Sequence, residues 1–122
     1  MSEALDYVSR AGEKLHAALE RWPDLFRTID GGVAADLGAN VGGFTDCLLR
    51  HGAARVYSVD TGYGVLAWKL RQDERVVVLE RTNALHVELP EQVDIVVCDV
   101  AWTRQHHILP AAWRLVKPGA PV

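Results

Sequence analysis

The sequence predicts an α/β fold, in which helices flank a parallel β-sheet. Short runs of β-branched residues alternate along the chain with segments of helical periodicity, which is typical of βαβ units. A glycine-rich turn separates the first such run from a helix, and two later runs end in the carboxylates Asp60 and Asp99. The 122 residues carry 13 basic and 16 acidic side chains and are 49% hydrophobic, a composition that suits one globular domain.

The N-terminal part of the chain is predicted to be a helix followed by a linker. Apolar residues recur at helical spacing from Val8 to Trp22, and Pro23 is expected to end this helix. Residues 24–32 have no clear period and are expected to form a loop. We therefore divide the chain into an N-terminal helix and linker, residues 1–32, and a core, residues 33–122.

The core is predicted to contain strands and helices in alternation. The periodicity places strands at 33–37, 55–60, 76–79 and 94–99, and helices at 44–51, 64–72 and 106–116. Gly52 is positioned to end the first of these helices. Pro110 lies inside the last helix, so a late start or a kink is expected there.

Several classes of protein are excluded by composition. No apolar run approaches the roughly 20 residues that cross a bilayer. The N-terminus mixes acidic and basic residues where a secretory signal needs an apolar core, so we expect a cytoplasmic protein without a membrane partner. Cys47 and Cys98 are far apart and lack the spacing of zinc ligands, so reduced thiols and no metal site are expected.

The glycine-rich turn between the first predicted strand and the next helix is the strongest local motif. Gly38 permits a turn that a Cβ would forbid, and Gly42 and Gly43 would let a ligand approach the backbone. The spacing is neither the GxGxxG of dinucleotide folds nor a Walker loop. A plain tight turn is the alternative. The candidate ligand-binding residues of this segment are Asp36, Gly38, Ala39, Asn40, Gly42, Gly43 and Phe44.

Carboxylates at the ends of the predicted strands point to a nucleoside ligand. Asp60 is able to accept two hydrogen bonds from a ribose diol, although it could instead cap the following turn. No phosphate-binding loop accompanies Asp36 and Asp60, so S-adenosylmethionine fits this pattern best. Asp99 could bind the amino group of the ligand, orient a catalytic lysine, or cap a turn. Lys14, at the edge of the first helix's apolar stripe, could simply be solvated.

Four strings resemble the TlyA (hemolysin A) branch of the FtsJ-like RNA 2′-O-methyltransferases. They are YVSRAGEKL at 7–15, DLGA at 36–39 continued by GGFTDCLL at 42–49, VDTGYGVLAWKLR at 59–71 and LERTN at 79–83, with Asn40-Val41 standing where the family commonly has Ser-Thr. The resemblance runs in register from Tyr7 to Gly119. It implies a Rossmann-like fold that binds S-adenosylmethionine, and 2′-O-methylation of ribose in RNA, usually ribosomal RNA.

The resemblance also implies roles for individual residues. The family uses a Lys-Asp-Lys-Glu tetrad, in which Lys14 matches the first lysine and Asp99 the aspartate. Asp60 would hold the ribose, Asn83 would lie near the adenine, and Asp99 near the methionine end of the cofactor. The second lysine, which usually deprotonates the ribose hydroxyl, and the glutamate have no counterpart in the sequence.

Departures from the family pattern keep other functions open. The sequence is expected to be the N-terminal four-strand portion of the fold, truncated before the fifth strand and without an S4 RNA-binding domain. A non-catalytic module that binds S-adenosylmethionine or a nucleoside is therefore one alternative, and a methyltransferase for small molecules or proteins is another. The fourth strand would have an open edge, through which the chain could self-associate.

Overall fold

Four parallel strands form the centre of the computed structural model, which describes residues 7–99 and 105–122. The strands are β1 (Val33–Leu37), β2 (Arg55–Val59), β3 (Val76–Leu79) and β4 (Ile95–Cys98). Their order in the sheet is β3-β2-β1-β4, so β1 lies between β2 and β4. The predicted α/β class and all four strand positions are confirmed, with shifts of one residue at the ends of β2 and β4.

Five helices flank the sheet in the described part of the chain: α1 (Arg10–Arg21), α2 (Pro23–Ile29), α3 (Gly43–Arg50), α4 (Trp68–Arg71) and α5 (Gln105–Leu115). The prediction of a loop over 24–32 was wrong for most of its length. Pro23 begins α2 instead of only ending α1, because a proline at the first helical position loses no hydrogen bond. The buried Ile29 then anchors this helix to the core.

Two further helix predictions needed correction. The helix expected at 64–72 is reduced to the four residues of α4, and Gly64 adopts a positive φ of 74°, which is incompatible with helix. Pro110 lies inside α5 and does not delay its start.

Two apolar clusters cover the opposite faces of the sheet. Because side chains alternate along a strand, Ala34 contributes to the cluster beneath α1 and α3, whereas Ala35 and Leu37 contribute to the cluster beneath α5. Each strand of the sheet interior is thus buried on both faces, as expected for a parallel sheet. Cys47 is buried and Cys98 half-buried, and both are free thiols.

The outer edge of β4 is partly paired by the last residues of the chain. Val93 and Val116 form a parallel bridge, and the Lys117 amide donates to the Val93 carbonyl at 2.9 Å. The Val96 amide donates to the Pro121 carbonyl at 3.1 Å. The expectation of an open edge was therefore wrong at these positions, which weakens the case for self-association. Across residues 7–99 and 105–122, no helix is long and apolar enough to cross a membrane.

Candidate functional site

The glycine-rich turn is tied to the carboxyl end of β2. The amides of Gly38 and Ala39 both donate to the Val59 carbonyl, at 2.8 and 2.9 Å. Gly38 has a φ of 82°, Asn40 a φ of 53° and Gly42 a φ of 105°, so the turn has a positive φ at three positions. Glycine adopts that conformation freely and asparagine tolerates it, which explains why these residue types occur here.

Asp60 lies beside this turn, directly after β2. Its Oδ1 accepts a hydrogen bond from the Asn40 amide at 3.3 Å, and its Oδ2 accepts one from the Gly62 amide at 2.9 Å. Each carboxylate oxygen has a further lone pair. Asp60 is half-buried, so it is fixed in position and still able to accept hydrogen bonds from a diol.

Asn83 is brought near Asp60 by the loop that follows β3. The Thr82 amide donates to the Asp60 carbonyl at 2.9 Å, and the exposed Asn83 is the next residue. The Asn83 Oδ1 accepts the Leu85 amide at 2.9 Å, which leaves the side-chain NH₂ as a donor.

A small cavity of about 10 Å³ lies between the turn and the ends of β2 and β3. Its lining combines apolar side chains with the polar groups described above, and the residues are Ala39, Asn40, Ser58, Asp60, Val65, Leu66, Val78 and Glu80. Apolar side chains thus lie beside the Asp60 carboxylate at this end of the sheet.

Asp36 is the buried carboxyl group beneath the site, with 0% of its surface exposed. Its Oδ2 accepts a hydrogen bond from the Thr45 hydroxyl at 2.8 Å, and Thr45 in turn contacts the Ser58 hydroxyl at 2.7 Å. Its Oδ1 has no hydrogen-bond partner within the described residues. Burial, helped by the negative charges of Asp99 and Asp60, raises the pKa of Asp36 to about 7 against the opposing effect of Thr45.

Gly42 and Gly43 allow close packing within the chain, and the approach of a ligand to them stays a prediction. A Cβ on Gly42 would collide with the side chains of Leu70 and Leu66. A Cβ on Gly43 would collide with the Ser9 hydroxyl and would lie 2.8 Å from the Gly12 amide nitrogen. Both glycines therefore permit tight packing of other parts of the chain against the start of α3.

Lys14 and Asp99 lie on different elements of the fold. Gly12 abuts Gly43, and the exposed Lys14 lies two residues further along α1. Asp99 is exposed directly after β4, and its amide donates to the Leu37 carbonyl at 3.0 Å. The topology thus places Asp36, Asp60 and Asp99 near the carboxyl ends of three neighbouring strands. No described contact joins Lys14 to Asp99 in the ranges 7–99 and 105–122.

The sequence interpretation missed three residues that organise the site. Thr45 and Ser58 form the buried hydroxyl pair beside Asp36. Asp46 is also buried, and it accepts the Val8 amide at 2.9 Å and the Arg50 Nε at 3.3 Å. A polar residue at a predicted core position was the available signal, because such groups are buried only with partners.

Two exposed aromatic side chains, each with a cationic neighbour, lie on the segment between β2 and β3. The Tyr63 side chain is 69% exposed, and the Arg81 guanidinium lies 4.4 Å from the centroid of its ring. Trp68 is 70% exposed and is followed by Lys69, whose Nζ lies 3.5 Å from Asp46 Oδ1. Stacking rings combined with cations are typical of surfaces that bind single-stranded nucleic acid.

Comparisons with known proteins agree with this geometry. The family model described as FtsJ-like methyltransferase matches residues 7–120. The 16S/23S rRNA (cytidine-2′-O)-methyltransferase TlyA of Mycobacterium tuberculosis is 48% identical over 109 residues, which are 86% of this chain and 39% of TlyA.

Solved structures give the same fold. A protein from Streptococcus thermophilus that carries the name hemolysin superposes with a TM-score of 0.84 at 38% identity, over 94% of this chain and 42% of that protein. An S-adenosylmethionine-dependent methyltransferase from Mesorhizobium loti shares the fold at a TM-score of 0.64 and 20% identity, over 82% of this chain and 50% of that one. The chain thus spans about two fifths of the length of the curated relative TlyA.

Proposed function

Because this chain belongs to the FtsJ-like methyltransferase family, we propose that it is the cofactor-binding part of an S-adenosylmethionine-dependent RNA methyltransferase. We further propose that the reaction methylates ribose 2′-hydroxyl groups in ribosomal RNA, the chemistry that the name of TlyA states for that relative. The observation that carries the proposal is the group of three carboxylates, Asp36, Asp60 and Asp99, at the carboxyl edge of the sheet.

Each part of the cofactor has a complementary group at this edge. Asp60 would accept hydrogen bonds from the ribose diol, because its oxygens are held by backbone amides and keep free lone pairs. Asn83 and the apolar side chains beside Asp60 would receive the adenine. The positive charge of the methionine end suits Asp99 and the unpartnered Oδ1 of Asp36, since a buried carboxylate oxygen without a partner is rare.

The residues Lys14 and Asp99 are proposed to serve the reaction itself. S-adenosylmethionine, when bound, supplies a methyl group on a sulfonium sulfur. The Lys14 ammonium would polarise and orient the ribose hydroxyl, and Asp99 would hold the lysine by charge. We propose that the N-terminal segment up to residue 32 serves mainly to present Lys14, because the contact of Gly12 with Gly43 docks α1 against the start of α3.

RNA is favoured over small molecules by the surface beside the site. Tyr63 and Trp68 are large, flat and exposed, and Arg81 and Lys69 lie next to them. The net charge of −3 gives no general attraction to a polyanion, so a local surface of this kind is needed. The name of TlyA supports ribosomal RNA as the target.

Transfer of a labelled methyl group tests the proposal. Ribosomal RNA is incubated with the protein and methyl-labelled S-adenosylmethionine, digested to nucleosides and analysed by mass spectrometry. We expect the label on the ribose 2′-oxygen, with a large loss in Lys14→Ala and little change in Lys117→Ala, a lysine at the other end of β4. Label on a base would contradict ribose methylation, and binding without transfer would favour the non-catalytic module.

A further inference from the structure

Asp36 is a buried carboxyl group whose protonation state the proposed methyl transfer does not specify. It lies in the central strand β1, where it pairs in register with Ser58 of β2 and Val97 of β4. The side chain is fully buried and Thr45 is its one hydrogen-bond donor within the described residues. Its second carboxyl oxygen, Oδ1, has no partner there.

The titratable groups that face Asp36 come from both neighbouring strands. Asp60 follows β2, Asp99 follows β4, and Cys98 lies at the end of β4. The two carboxylates disfavour a negative charge on Asp36, and burial disfavours it more. Burial and the proximity of Asp36 raise the pKa of Cys98 to about 11, so this thiol stays neutral near pH 7. The described charged neighbours that act on Asp36 are thus anionic, and a cationic ligand would reverse that balance.

We propose that Asp36 carries a proton in the unliganded protein and releases it when S-adenosylmethionine binds, so that the site discriminates the sulfonium cofactor from its thioether product. This inference rests on the proposed function. On binding, the carboxyl O–H bond breaks, the electron pair stays on the carboxylate, and the proton passes to buffer. The carboxylate then faces the positive charge of the cofactor in a poorly solvated site.

The discrimination follows from the charge that methyl transfer removes. S-adenosylmethionine carries a sulfonium and an ammonium group, whereas S-adenosylhomocysteine retains only the ammonium. After transfer, the site loses one positive charge and Asp36 regains its proton from solvent. Because the burial of Asp36 keeps the interaction with charge strong, the product should be bound less tightly than the cofactor at neutral pH.

Calorimetric titration at pH 6, 7 and 8, in buffers of different ionisation enthalpy, tests the inference. We expect the affinity for S-adenosylmethionine to rise about tenfold from pH 6 to pH 8 through Asp36, with most of a proton released at pH 6. The amino group of the cofactor contributes the same pH dependence to binding by every variant. Its contribution therefore cancels when the affinities of the wild type and Asp36→Asn are compared. The affinity of Asp36→Asn for S-adenosylmethionine should lack this tenfold change with pH. The affinity of the wild type for S-adenosylhomocysteine should change less with pH than its affinity for S-adenosylmethionine.

Substitution of Thr45 gives a second, independent readout. Thr45→Val removes the donor that favours ionised Asp36, so the pH midpoint of cofactor binding should move upward, whereas Thr45→Ser keeps the hydroxyl and the midpoint. An unchanged midpoint in Thr45→Val, or equal pH dependence in wild type and Asp36→Asn, would overturn the inference while leaving cofactor binding intact. Absence of binding at every pH would instead overturn the proposed function, and this inference with it.

Discussion

Replacing Asp36 with asparagine should stabilise the unliganded protein at neutral pH. The pKa of Asp36 is raised from 3.8 to about 7 by folding, a difference of about three units. Each unit is worth about 1.4 kcal/mol, so ionised Asp36 lowers the free energy of unfolding by about 4 kcal/mol above pH 7. The folded pKa is the higher one, so the contribution of Asp36 to stability is fully present below about pH 4 and is lost as pH rises towards 7.

Asparagine keeps an acceptor for the Thr45 hydroxyl but cannot ionise. We therefore expect Asp36→Asn to gain about 2 to 4 kcal/mol at pH 8 and little at pH 4.5. Urea unfolding followed by circular dichroism, at four pH values without ligand, measures this difference. Asp24→Asn is the matched control, because the Asp24 side chain is 92% exposed and should show no such trend. A gain that is the same at pH 4.5 and pH 8, or no gain at all, would refute the electrostatic reasoning.

Four other substitutions test the packing of Gly43, the proposed RNA surface and the contact of Asp46 with the Val8 amide. Gly43→Ala should lower the free energy of unfolding by about 1 to 3 kcal/mol in thermal melts, because the added methyl group collides with α1. A variant as stable as the wild type would refute the packing role of Gly43. Tyr63→Ala and Arg81→Ala should each weaken the binding of single-stranded ribosomal RNA about tenfold in fluorescence anisotropy, without changing the affinity for the cofactor. If either variant lost RNA affinity and cofactor affinity to the same extent, the RNA surface would not be separate from the cofactor site. Asp46→Asn should accelerate hydrogen exchange of the Val8 amide, because the Asp46 carboxylate accepts the hydrogen bond of that amide. Protection equal to that of the wild type would show that Asp46 does not hold the segment around Val8.

The fold was largely predictable because the strands carry strong local signals. β1 and β3 have the predicted bounds, and Val76–Leu79 is rich in β-branched residues and flanked by polar ones. Helix α2 was missed because Pro23 was interpreted only as a stop, although it equally suits a first helical position. The burial of Ile29 shows that Pro23 begins a helix, and this burial depends on the whole fold and not on local sequence.

The candidate site was predictable in its carboxylates but not in its support. The carboxyl ends of parallel strands meet at one edge, so Asp60 and Asp99 could be placed together from spacing alone. The role of Gly43 could not be predicted in this way, because the space that a Cβ would need is occupied by Ser9, which is distant in sequence. The hydroxyl pair of Thr45 and Ser58 joins α3 to β2 through a contact that no local pattern indicates.

Calorimetric titration of the 122-residue chain with S-adenosylmethionine measures whether these four strands hold the cofactor site. We expect saturable binding that Asp60→Ala abolishes and Asp24→Ala leaves unchanged, because Asp60 is held at the end of β2 with free lone pairs. A folded chain that does not bind the cofactor, or that binds it equally well as Asp60→Ala, would contradict the account.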